Sequence, residues 1–102
     1  MNKKEQLIAK FKNKGIPAGR TFLFPHEVAL EIIDECERLS LRIIGLDFFI
    51  VSSEGHLPVN STDWSSIYHL PDATKQTVEA ARQLIGQKLP DNATHVEFVI
   101  DN

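Results

Sequence analysis

The chain has 102 residues, of which 42% are hydrophobic and 25% are charged, and its formal net charge is −3. This length and composition are typical of one soluble domain, over residues 1–102, and exclude a disordered chain. The sequence contains no apolar run close to the roughly 20 residues of a membrane span, and no apolar segment follows the N-terminal lysines as in a secretory signal. The single cysteine, Cys36, excludes an internal disulfide bond and favours a cytoplasmic location.

Charge is unevenly distributed along the chain. Residues 1–20 contain six basic residues and one acidic residue, a balance of +5, whereas the other 82 residues have a balance of −8. An acidic body repels phosphate, so we expect no nucleic-acid partner. It would attract a protein with a basic surface, although mild acidity also serves solubility alone.

The first predicted helix spans about residues 2–14, with Leu7, Ile8 and Phe11 at helical spacing and Gly15 at its end. Three large apolar residues are too few for firm membrane binding, so we expect this helix to pack on the domain core and expect no membrane partner. The connection that follows, residues 16–24, ends in either a short strand or an extended segment inserted into the core.

Two further helices are predicted, from Pro25 to about Leu39 and from Asp72 to about Lys88. Proline suits the first turn of a helix, and the Asp72 carboxylate is expected to accept hydrogen bonds from the first free N–H groups. The earlier of the two helices carries five carboxylates, which we interpret mainly as a solvated face. Its cysteine, Cys36, lies in the apolar stripe, which favours an inert buried thiol over a nucleophile.

The strongest strand signal covers residues 41–51, because few positions on either face are polar, which predicts a strand covered on both sides near the sheet centre. Gly45 indicates a bulge or a close backbone approach, and Asp47 requires a partner or an outward orientation. Residues 52–55 predict a turn and residues 56–59 a short edge strand. Residues 60–71 have no periodicity and are predicted to form a surface loop.

The last predicted strand covers residues 94–101, with Val96, Phe98 and Ile100 facing inward and a polar opposite face. It pairs with the central strand either in parallel, with the third helix as the crossover, or antiparallel, and the sequence leaves both arrangements open. The whole pattern predicts an α+β domain with about three helices packed on a small sheet of three to four strands.

No residue pattern indicates a cofactor or a metal site. The four histidines are far apart in sequence, and neither a phosphate-binding glycine loop nor a serine nucleophile elbow occurs. Asp47 and Glu97 could meet on one sheet face and serve in general acid–base catalysis. A small hydrolytic enzyme that uses an Asp–His arrangement near the sheet is one functional hypothesis. We expect a protein without enzymatic activity, cofactor or metal.

Five residues are candidates for a protein-binding surface: Asp47, Asp63, Trp64, Glu97 and Asp101. Trp64 lies beside Asp63 in the irregular segment, where an exposed aromatic side chain would anchor an interface. The alternative is that this tryptophan plugs the side of the core. Glu97 and Asp101 alternate on the polar face of the last strand and would attract a basic partner.

The segment Ile43-Ile44-Gly45-Leu46-Asp47-Phe48-Phe49, preceded by an acidic amphipathic helix, resembles the fortieth numbered family of bacterial polymorphic-toxin immunity proteins. Trp64 after a turn, the third helix and the terminal Phe98-Val99-Ile100 are similar to the order of that family's pattern, over residues 28–101.

The resemblance implies a protein that binds its cognate toxin inside the producing cell and neutralises it by covering it. An acidic inhibitor suits a toxin that acts on nucleic acid, because such enzymes carry basic clefts. The alternative function is a small cytosolic protein-binding adaptor or regulatory domain.

Overall fold

The computed structural model describes residues 1–101, which form three α-helices and five β-strands. The helices are α1 (Lys3–Phe11), α2 (His26–Arg38) and α3 (Ala73–Ile85). The strands are β1 (Ile16–Ala18), β2 (Thr21–Leu23), β3 (Arg42–Ser52), β4 (Gly55–Asp63) and β5 (His95–Asp101). The predicted α+β class is confirmed, with three helices and antiparallel sheets of two and three strands.

β3 is the centre of the larger sheet, whose order is β4-β3-β5. The apolar run over residues 41–51 predicted this central position, and the prediction is confirmed. β5 pairs antiparallel with β3, so α3 is not a parallel crossover. The smaller sheet is the hairpin of β1 and β2, and the chain that continues from it joins the edge of β5 through two backbone hydrogen bonds of 2.9 Å between Phe24 and Val96.

Both features predicted from Gly45 are present in β3. Ile43 pairs with Ile100 and Gly45 with Val99, so the strand contains a bulge at the residue between them. A Cβ atom on Gly45 would lie 2.8 Å from the carbonyl oxygen of Thr62, which is closer than a real Cβ contact. Glycine therefore allows β4 to approach the bulged part of β3.

Two predictions for the segment between the central strand and the third helix are wrong. β4 extends to Asp63, so residues 60–63 belong to a strand and not to the surface loop. Residues of this edge strand are mostly exposed and polar, so no apolar alternation marks them.

Asp72 does precede α3, but its side chain makes no capping hydrogen bond. The N–H of Ala73 instead donates to the carbonyl oxygen of Leu70 at 3.1 Å. The backbone of Asp72 lies at φ −104° and ψ 25°, away from the extended conformation from which an N-cap side chain reaches the first turn.

α2 and α3 cover one face of the larger sheet and form the core with it. The contributing side chains are buried, among them Ala29, Ile33 and Cys36 from α2, Val78, Ala81 and Ile85 from α3, and Ile43, Leu46 and Phe48 from β3. Nε2 of His26 lies 2.9 Å from the carbonyl oxygen of Gly86, so the start of α2 is held at the end of α3.

α1 closes one side of the core through Leu7 and Phe11, as its apolar spacing predicts, while Ile8 remains 41% exposed. Among residues 1–101, no helix has the length and apolar character needed to cross a membrane. The opposite face of the larger sheet is turned away from α2 and α3, and it carries most of the predicted site residues.

Candidate protein-binding face

Four of the five candidate residues lie on one face of the larger sheet. Directly opposed residues of antiparallel strands project from the same face. The register places Glu97 and Ser61 opposite Asp47, and Asp63 opposite Gly45. We call this surface the outer sheet face and define it by Arg42, Asp47, Phe49, Pro58, Ser61, Asp63, His95, Glu97, Val99 and Asp101.

Asp47 and Glu97 form a pair of like charges at the middle of this face, and both side chains are half-buried. Burial raises the pKa of Glu97, the neighbouring Thr21 hydroxyl acts in the opposite direction, and the charge of Asp47 raises it further. Within residues 1–101, neither carboxylate forms an ion pair with a basic side chain. A cation placed between them would therefore relieve their repulsion.

Four of the five carboxylates of α2 are, in contrast, paired within the molecule, and the exposed Glu27 forms no ion pair within residues 1–101. Glu31 lies 3.2 Å from Lys14. Arg82 of α3 contacts both Asp34, at 2.7 Å, and Glu37, at 2.8 Å. These contacts neutralise much of the acidic helix without a partner protein.

Glu35 is the buried member of the acidic helix, with 6% of its surface exposed. It accepts hydrogen bonds from Lys10 and Arg38. The bond from Lys10 is the main cause that lowers the pKa of Glu35, against the opposing effect of burial. The negative charge that is left without a basic partner thus lies on the sheet more than on α2.

Asp63 and Asp101 lie on the outer sheet face near the start of β3. Oδ1 of Asp63 accepts a hydrogen bond of 2.6 Å from the backbone N–H of Ser65, which lowers the pKa of the exposed Asp63 carboxyl. Asp101 lies 3.2 Å from the guanidinium of Arg42. Asp63 therefore adds negative charge to the face, whereas the charge of Asp101 is balanced by its strand neighbour.

Trp64 is separated from the four carboxylates. Its N–H extends the β3–β4 ladder by donating to the carbonyl oxygen of Ile44 at 2.6 Å. Its side chain is half-buried and packs against the core, and strand alternation places it on the opposite face from Asp63. This packing fits the core-plug alternative better than an anchor on the outer sheet face.

Phe49 is a residue of this face that sequence reasoning did not select. A groove of about 480 Å³ lies beside Asp47 and is lined by Phe49, Pro58 and Ser61. It lies where β4 bulges opposite the step from Phe48 to Phe49. In the sequence Phe49 belongs to the apolar run of the central strand, which hides it among core residues. Its spacing of two residues from Asp47 is the signal that places it on the same face as that carboxylate. An aromatic ring beside the Asp47 carboxylate suits an arginine side chain.

His95 adds little positive charge to the outer sheet face. Burial lowers its pKa, the charge of His56 lowers it further, and Glu27 acts in the opposite direction. Burial and the charge of His56 therefore favour the neutral imidazole of His95. The acidic pair of Asp47 and Glu97 is therefore not offset by this histidine near neutral pH.

The described part of the chain, residues 1–101, contains no cluster of three or more side chains that could hold a metal ion. Burial raises the pKa of Cys36 to about 12, with a smaller contribution from Glu35, so this thiol is held in its protonated form. The buried inert thiol predicted from the sequence is present.

No family model, no curated protein and no solved structure matches this chain. Membership of the immunity-protein family therefore stays a prediction.

Proposed function

We propose that this protein is an immunity protein that binds a cognate toxin with a basic surface and neutralises it through the outer sheet face. The supporting observation is the contrast between two sets of carboxylates. Four of the five on α2 are matched by Lys10, Lys14 and Arg82 within the chain, whereas Asp47 and Glu97 oppose each other without a basic partner.

The arrangement of these groups suits a guanidinium from the partner. Asp47 and Glu97 offer acceptor oxygens from adjacent strands, and Phe49 offers an apolar ring beside Asp47. Hydrogen bonds between arginine and carboxylates are among the strongest in protein interfaces. An inserted arginine would also remove the repulsion between the two carboxylates, so the free protein is prepared for a cationic ligand.

Inhibition by this route needs coverage and no catalysis. A standard interface takes about 800 Å² from each partner, and the described chain has an accessible surface of 6003 Å². An interface of that area would occupy roughly an eighth of the accessible surface of the described chain. Coverage of a basic cleft would exclude the phosphate groups of a nucleic-acid substrate, which is why we favour a toxin of that class.

The proposal is tested by co-expression with the product of the neighbouring gene, scored by host survival and by co-purification. Wild-type protein is expected to protect the host. The double variant Asp47→Asn/Glu97→Gln is expected to bind about 100-fold more weakly, since each charged contact contributes on the order of 1.5 kcal/mol. Its affinity is also expected to depend less on salt concentration.

The matched control is Asp34→Asn/Glu37→Gln, which removes two charges from α2 and is expected to protect like wild type. A neighbouring product without toxicity would contradict the proposal, as would full protection by the Asp47/Glu97 variant. Binding without protection would support the adaptor alternative instead.

A further inference from the structure

A cleft lies between α1, β2 and β5. Its volume is about 290 Å³, and nine of its thirteen lining residues are apolar. They come from three sides, with Leu7 and Ile8 on α1, Phe22 on β2, and Phe98 and Val99 on β5. The cleft is thus an apolar space built by separate elements.

The pairing of the hairpin with β5 explains why this space is open. The chain after β2 meets β5 at one backbone bridge, between Phe24 and Val96, within residues 1–101. The phenyl rings of Phe24 and Phe98 meet edge to face at 6.5 Å and form one end of the cleft. Before Phe24 no backbone bridge joins the hairpin to β5 within residues 1–101, although Thr21 bonds to the side chain of Glu97, and α1 lines the gap.

Two basic residues line this cleft, Lys4 of α1 and Arg20 of the β1–β2 turn. Arg20 is exposed and forms no ion pair with another side chain in residues 1–101. Glu97 is the acidic residue of the lining, and Thr21 lies beside it. Among residues 1–101, the lining therefore contains two basic side chains and one acidic side chain next to an apolar interior.

We propose that this cleft binds an amphipathic anion, with an apolar chain or aryl group inside and a carboxylate held by Arg20 at the mouth. The cleft has about twice the volume of the roughly 150 Å³ cavity that takes up benzene, which is room for a chain of about ten carbons. Arginine binds carboxylates through two parallel hydrogen bonds. This inference does not rest on the proposed toxin-binding function, and the cleft shares Glu97 and Val99 with the outer sheet face.

Decanoate is the probe, and its binding is measured by displacement of the fluorescent dye anilinonaphthalene sulfonate and by amide chemical shifts. We expect saturable binding, with shifts concentrated around Leu7, Phe22 and Phe98. Arg20→Gln is expected to weaken decanoate binding about tenfold, as for loss of a charge-assisted hydrogen bond. The affinity for decanol, which has no charge, is expected to stay unchanged in that variant.

Lys75→Gln is the matched control, because it removes one exposed positive charge from α3, away from the cleft lining, and should bind decanoate like wild type. Ile8→Glu places a negative charge at an exposed lining position and is expected to abolish binding, with its fold checked by thermal melting. The site is refuted by the absence of saturable binding, by shifts centred on Phe49, or by wild-type decanoate affinity in either the Arg20 or the Ile8 variant.

Discussion

Glu97 links the outer sheet face to the stability of the fold. Its pKa is raised in the folded protein by burial and by Asp47, against the effect of Thr21. A carboxyl with a raised folded pKa stabilises the folded state below its unfolded pKa, and this contribution is lost as the pH rises through the folded pKa. At neutral pH the ionised Glu97 therefore opposes folding.

The first prediction concerns the charge of this residue. Glu97→Gln is expected to stabilise the protein at pH 7 by roughly 0.5–1 kcal/mol, after allowance for solvent screening. The melting temperature should rise by about 2–6 °C. Near pH 4 the gain should be much smaller, because the wild-type carboxyl is then largely protonated in both states.

Glu79→Gln is the control, since Glu79 is an exposed carboxylate on α3. It should change the melting temperature little at either pH. An equal gain at pH 4 and pH 7 for Glu97→Gln would show that its charge is not the cause.

Trp64 gives a second prediction at the scale of one residue. Its half-buried side chain packs against the core, so Trp64→Ala is expected to cost about 2–3 kcal/mol, less than a fully buried tryptophan. Thermal or denaturant unfolding measures this loss. Leu57→Ala should have no such effect, because that side chain is 59% exposed. Unchanged stability together with lost partner binding would restore Trp64 as an interface anchor.

At the scale of the elements, the organisation of the sheet depends on β3. Its apolar run predicted the central position correctly. The predicted cover on both faces is wrong, because α2 and α3 cover one face and the outer sheet face carries half-buried side chains such as Asp47 and Phe49. The last part of β4 was missed because residues 60–63 are polar edge residues. The antiparallel order could not be derived, because the sequence patterns of β3 and β5 fit either direction.

The candidate face has the same dependence on register. Alternation along β5 put Glu97 and Asp101 on one face from sequence alone. That Asp47 lies opposite Glu97 depends on the pairing of β3 with β5, including the bulge before Gly45. The opposite placement of Trp64 depends on how far β4 extends. Long-range pairing, which leaves no trace in local periodicity, decides these points.

Gly45 supports the third prediction. An alanine Cβ there would meet the Thr62 carbonyl oxygen at 2.8 Å, and because this atom is backbone, β4 must move. We expect Gly45→Ala to destabilise the protein by about 2–3 kcal/mol in denaturant unfolding. Ser61→Ala, an exposed change on the same edge strand, should stay within about 0.5 kcal/mol of wild type. Wild-type stability of Gly45→Ala would mean that β4 yields without cost.

At the scale of the whole molecule, the basic N-terminal segment and the acidic helix are partners. The sequence showed the asymmetry of +5 against −8 but not that Lys10 and Lys14 of the first twenty residues contact α2. Contacts between α1 and α2 connect residues far apart in sequence, so the five carboxylates were interpreted mainly as solvated. Ion pairs neutralise four of these five carboxylates, so the unpaired negative charge of Asp47, Asp63 and Glu97 lies on the outer sheet face.

Lys10 carries the fourth prediction. Lys10→Gln is expected to destabilise the fold by about 1–2 kcal/mol, because the buried carboxylate of Glu35 then keeps Arg38 as its remaining partner. The lowered pKa of Glu35 means that this contribution is present above the unfolded pKa and is lost as the pH falls through the folded pKa. The difference from wild type should therefore fade in acid.

Lys12→Gln is the comparison for this experiment, since it removes the same charge from an exposed position in the turn after α1. Chemical unfolding of both variants at pH 7 and pH 4 separates a specific contact from a general effect of net charge. Equal losses for both variants would point to net charge.

The free border of β4 has a consequence for self-association. Pro58 provides no N–H group, and the extra residue beside it breaks the even spacing of the remaining donors. A second copy of the chain therefore finds no regular template along that border for continuing the sheet into a fibril. The outer sheet face can therefore stay open to a partner without a regular, pairing-competent strand edge at its β4 side.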